Sequence, residues 1–170
     1  MKGITNIIKK IDKEFIKFVS IFLGTLALYY ITISLKATSN LIDAISNFTA
    51  SKATYILELF GVSVNHYSSV IFSSDYSIKV GFGCEGTEPV ALLLSAILAS
   101  KSNIKSKVLG ISLGSIVLLT LNDLRVVALF LIGKNHNDYF DLMHNDILPF
   151  ISVIFTLSIY LIWLKLARKK

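Results

Sequence analysis

The chain has 170 residues, of which 54% are hydrophobic and only 16% charged, against about 25% charged in an ordinary soluble domain. Its length points to one domain, its long uncharged blocks make it an integral membrane protein, and its single cysteine excludes an intrachain disulfide and a multi-cysteine metal site. The net charge of +6 does not indicate a nucleic-acid partner, because the basic residues stand at the ends of apolar blocks, where they set topology.

In chain order, Met1 to Lys17 is basic and amphipathic, with Ile4, Ile7, Ile8 and Ile11 at helical spacing. This predicts a helix on the cytoplasmic membrane surface. Phe18 to Leu35 carries no charge and is just long enough to cross a core of about 30 Å. Its sequence lacks a small-residue cleavage site, so it reads as a retained anchor. Residues 36–60 alternate an apolar stripe (Leu41, Ile42, Ile45, Phe48) with Asp43, Asn47 and Lys52. Interfacial helices are expected there, with one tilted span as the open alternative. Residues 61–80 alternate at Val62 and Val64 and again at Tyr76, Ile78 and Val80, the period of short external strands or a hairpin. Apolar blocks follow at Glu88 to Ser100, Val108 to Ile132 and Ile147 to Leu164.

The fold class expected is an all-α integral membrane protein. It has about four transmembrane helices, interfacial helices and a short external β-like segment. Twelve of the seventeen Lys and Arg residues lie in the N-terminus, the 101–107 connector and the C-terminus, so the positive-inside rule puts all three in the cytoplasm. The single domain, 1–170, then comprises an amphipathic cytoplasmic N-terminus (1–17), an external segment (36–83) and a core (81–164).

This topology brings three chemically competent residues to one face. Cys84 stands among Gly81, Gly83 and Gly86, before a helix start whose dipole favours thiolate. Glu85 and Glu88 oppose ionisation of the thiol, so a cation is required nearby. Arg125 supplies one from inside an apolar span, where an arginine costs about 2.5–3.5 kcal/mol unless paired or functional. Asn122 shares its helix face. His144 lies just before the last span and has an ordinary pKa suited to proton transfer. Packing also accounts for Cys84, an ion pair with Asp123 for Arg125, and a solvated loop for His144 as for His66 and His136; these alternatives stay open. No metal-binding spacing is present.

Three features resemble the exosortase/archaeosortase family of membrane transpeptidases. They are Gly83-Cys84-Glu85-Gly86 opening a span, Asn122-Asp123-Leu124-Arg125 inside the next, and His144 before the last. The chain departs from that pattern at Glu85, where many members carry a small residue, and at Thr87, where an aliphatic residue is common. The resemblance implies a compact sortase-like cysteine peptidase of the cytoplasmic (inner) membrane, its site facing outward or into a periplasm. Cys84 would form a thioester, Arg125 would hold the oxyanion and His144 would protonate the leaving amine, with Asn122, Gly83 and Gly86 in support. No cofactor or metal is implied. Substrates would be secreted proteins with a C-terminal motif, a transmembrane helix and a basic tail; membrane lipid surrounds the site. Two other readings stay open: a non-catalytic scaffold or assembly factor, and an intramembrane metalloprotease using Glu85 and Glu88.

Overall fold

The computed structural model describes the backbone of residues 2–168 and the side chains from Asp12 onward. Helix α1 (Lys2–Ser34) leads through a single 3₁₀ turn into α2 (Ser39–Leu59). Strands β1 (Asn65–Tyr67), β2 (Val70–Phe72) and β3 (Ser77–Lys79) follow, then α3 (Thr87–Ala99) and α4 (Ile104–Asn135). A 3₁₀ turn, the one-turn helix α5 (Phe140–Leu142) and a π-turn (Met143–Ile147) lead into α6 (Leu148–Ala167).

Among the described residues three helical stretches are long and apolar enough to cross a membrane: Asp12–Ser34, Ile104–Asn135 and Asn137–Ala167. The fourth expected span falls short. Ser100 ends α3 in extended conformation, leaving 13 residues, about 20 Å of helix. α3 is instead the packed centre of the bundle, in contact with α1, α4 and α6, and Leu93, Ser95 and Ile97 are fully buried. Close approach is permitted by Gly110 and Gly114, one turn apart on α4. A β-carbon on Gly110 would collide with Trp163 of α6, and one on Gly114 with Leu93 of α3. Small residues of this kind let membrane helices pack closely. Trp163 also donates its Nε1–H to the Ser106 carbonyl (2.9 Å).

Two further expectations are revised. The N-terminal segment is not a separate surface helix, since α1 runs unbroken from Lys2 to Ser34; the isoleucine stripe at 4–11 lies outside the described side chains. Residues 36–60 form one 21-residue helix rather than several. The face that packs is not the expected stripe, of which Leu41 and Phe48 are exposed; it is Ala50, Ala53 and Leu57, further along the helix, that pack with Val126, Val127 and Phe130 of α4. That packing seats α2 against α4.

The strands form an antiparallel sheet in the order β1-β2-β3. Its inner face contributes Ile71 and Val80 to the α2–α4 cluster. Tyr76 stacks edge-on against Phe130 (5.5 Å), and Lys134 at the end of α4 pairs with Asp75 (3.0 Å). The sheet is thereby seated on one end of the bundle, the end from which the chain enters α3.

Candidate active site

Cys84 lies on the loop from β3 to α3, three residues before the helix begins. Its N–H donates to the Gly81 carbonyl (2.9 Å), closing a tight turn. Gly83 and Gly86 on either side have φ of +84° and +85°, a region that side chains enter at a cost. Gly86 has a second constraint: a β-carbon there would sit 2.8 Å from the Asn122 side chain. Asn122 uses that proximity to donate from Nδ2 to the Cys84 carbonyl (2.7 Å).

Arg125 lies one turn beyond Asn122 on the same face of α4. Its Nη1 donates to the Gly83 carbonyl (3.0 Å) and its Nη2 reaches the His144 carbonyl (3.5 Å). One guanidinium therefore ties the cysteine loop to the segment that carries the imidazole, a use of the rigid donor fork that lysine cannot reproduce. The alternative pairing of Arg125 with Asp123 is not adopted. Asp123 bonds Lys52 of α2 (2.7 Å), leaving Arg125 to the two carbonyls.

His144 sits in the π-turn before α6. Pro149 follows five residues later and has no N–H to return to Asn145, while its ring would crowd that carbonyl. Widening the turn resolves both conflicts, and such π-turns recur at functional sites. The imidazole stacks on Phe140, one turn back (5.5 Å between ring centres, 10° apart). Its Nδ1 lies 3.7 Å from Cys84 Sγ, within hydrogen-bonding range for sulfur.

The thiol is 6% exposed. Gly83, Glu88, Arg125 and His144 line an adjoining cavity of about 240 Å³. A more apolar cleft of about 200 Å³ between α4 and α6 shares Arg125 and Ser152 with it. Burial pushes the Cys84 thiol above its ordinary value; the Arg125 charge pulls it down, and Glu85 and Glu88 push it up. Ionisation of this thiol therefore requires help, either from a proton acceptor in contact or from closer engagement of the cation.

The three expected residues and their three supporting ones thus meet at one place. Among the described residues no hydrogen bond joins His66 on β1 or His136 at the end of α4 to that cluster. Three contacts went unrecognised in the sequence. Phe140 under His144 was signalled by its spacing of four. Lys52 was visible as a lone cation on an apolar helix, without its partner. The third is a hydrogen-bond chain from Tyr29 to Thr87 Oγ1 (2.6 Å) and from Thr87 to Glu85 (2.9 Å). It ties one oxygen of Glu85, 1% exposed, into the helix contact with α1, while the other, Oε2, is buried with no hydrogen-bond partner among the described residues. Among the described residues no three His, Cys, Asp or Glu side chains gather as a metal site.

Bundle and site define a multi-pass helical membrane protein with a thiol–imidazole pair cross-tied by an intramembrane arginine. The family model for transmembrane exosortases matches residues 12–164, well over half of the chain. The protein belongs to the transmembrane exosortase family. Comparison with curated proteins and with solved structures returned no match.

Proposed function

We propose that the protein is a membrane cysteine transpeptidase or protease that cuts secreted proteins at a C-terminal sorting signal, on the outer face of the cytoplasmic membrane. The observation that carries this reading is the 3.7 Å approach of Cys84 Sγ to His144 Nδ1, with Arg125 bonded to both segments. Family membership agrees with it, and the basic ends of the chain favour the sheet-bearing end as the outer one.

His144 accepts the Cys84 proton as the sulfur attacks the scissile carbonyl carbon. A C–S bond forms, and negative charge collects on the carbonyl oxygen, where the Arg125 guanidinium stabilises it. The C–N bond then breaks, and His144 returns the proton to the departing amine, leaving an acyl thioester on Cys84. An acceptor amine or water attacks that thioester, the C–S bond breaks, and the thiol is regenerated. The substrate's apolar helix remains in the bilayer, so the scissile bond lies just outside it, level with the loop.

The test is co-expression with a secreted protein ending in a short motif, one apolar helix and a basic tail. Wild-type protein converts this partner to a shorter form. Cys84→Ala is expected to abolish conversion while accumulating in the membrane at the normal level. Full conversion by Cys84→Ala would sink the proposal.

A further inference from the structure

The sheet has an unused edge that runs directly into the cysteine loop. β2 pairs with β3 in the register Val70↔Lys79, Ile71↔Ile78 and Phe72↔Ser77. Just outside the strands, the Val80 N–H donates to the Ser69 carbonyl and the Ser73 N–H to the Tyr76 carbonyl. These bonds fix the phase of the ladder. Residues 76, 78 and 80 spend their main-chain groups on β2, so those of Ser77 and Lys79 point the other way, since alternate residues of an antiparallel strand bond to opposite sides. Among the described residues no main-chain partner is found for Ser77 or Lys79 outside the ladder, and both residues are exposed. β1 and β2 lean on α2 while β3 leans on α4, so of the sheet's two edges the one at β3 is turned away from α2 and runs into the cysteine loop.

An unpaired edge is a template for another strand. Here the edge continues through Val80 and Gly81 to Phe82, which is 61% exposed and lines the cavity with Arg125 and His144. Lys79 is five residues from Cys84, a distance of about 17 Å at most.

We infer that the β3 edge at Ser77 and Lys79 receives the substrate's extended segment as a fourth strand, and so delivers its scissile bond to Cys84. This inference rests on the reading of Cys84 as the nucleophile. Main-chain pairing supplies affinity that does not depend on sequence, and contacts beyond the edge, starting with Phe82, supply selectivity. The residues held by β3 then lie within about five positions of the cleaved bond.

The test uses the full-length protein in membranes and the same secreted partner as the co-expression assay. Lys79→Pro removes one outward N–H without touching the ladder to β2, a position where an edge strand tolerates proline. It should raise the KM for the partner about threefold to tenfold, a larger rise than in Lys79→Ala, which keeps the N–H, while the alkylation rate of Cys84 stays unmoved. In parallel, a photo-crosslinking residue at position 77 of the Cys84→Ala protein should capture uncleaved partner just before its apolar helix. The same group at position 67, on the opposite edge, should not. Wild-type KM in Lys79→Pro, or capture from position 67 in place of 77, would overturn the inference. If Lys79→Pro disturbs the fold, seen as altered Cys84 alkylation, the crosslink alone decides. Processing by Cys84→Ala at the wild-type rate would instead defeat the underlying nucleophile reading.

Discussion

Arg125→Ala is expected to lower processing by about a hundredfold to a thousandfold, the range seen when one preorganised donor to a developing oxyanion is removed. Two losses combine. The charge that opposes burial and the two carboxylates at Cys84 disappears, so the thiol moves further above its ordinary value. The carbonyls of Gly83 and His144 also lose the group that joins them. The first loss has its own readout: the pH profile of Cys84 alkylation should shift to higher pH, because less thiolate is present at any given pH once a stabilising cation is gone. Arg125→Lys separates the effects. It keeps a positive charge and should recover much of the alkylation profile, but a compact ammonium cannot bridge both carbonyls, so processing should stay well below wild type. An alkylation profile unmoved in Arg125→Ala would show that the guanidinium does not act on the sulfur.

His144→Ala is the second large effect, with processing expected to fall by about a hundredfold to ten-thousandfold, the contribution of a positioned general acid–base. Its pH dependence should change in character. Without the imidazole, attack waits for the thiol to ionise unaided, and that thiol is held above its ordinary value. Residual activity should therefore keep rising with pH beyond neutrality. His144→Gln preserves size and some hydrogen bonding but cannot carry the proton, so it should match His144→Ala. His66→Ala and His136→Ala should process normally, and a large loss in either would reassign the base.

Arg125 was legible in the sequence because an arginine within an apolar span needs a reason to be there, and Asn122 one turn earlier marked the same face. One strand, β3, showed in the alternation of Tyr76, Ile78 and Val80, whereas the alternation at Val62 and Val64 falls before β1 and forms no strand. The end of α3 was legible, since the apolar block closes at Ser100, where the helix does stop. Its 13 residues were too few for a full span, which needs about 20. Partner choice among charges was hidden. Asp123 is two residues from Arg125, yet helix geometry points neighbours two apart in different directions, and the helix beside Asp123 brings Lys52. The position of His144 depends on a π-turn forced by Pro149, a local effect that a regular helical period does not reveal. Geometry between segments came from the packing of α2, α3 and α6 on α4, which no single stretch of sequence encodes.

The central claim is that Cys84 becomes covalently acylated by the substrate. The most direct measurement is mass analysis of the Cys84-containing fragment after rapid quenching of wild-type protein mixed with its secreted partner. Wild-type protein should carry an added mass equal to the substrate's acyl portion, removed by hydroxylamine as a thioester is, and His144→Ala should carry a longer-lived adduct if the imidazole also activates the acceptor. Steady conversion of the partner with Cys84 unmodified throughout, and undiminished in Cys84→Ala, would contradict it.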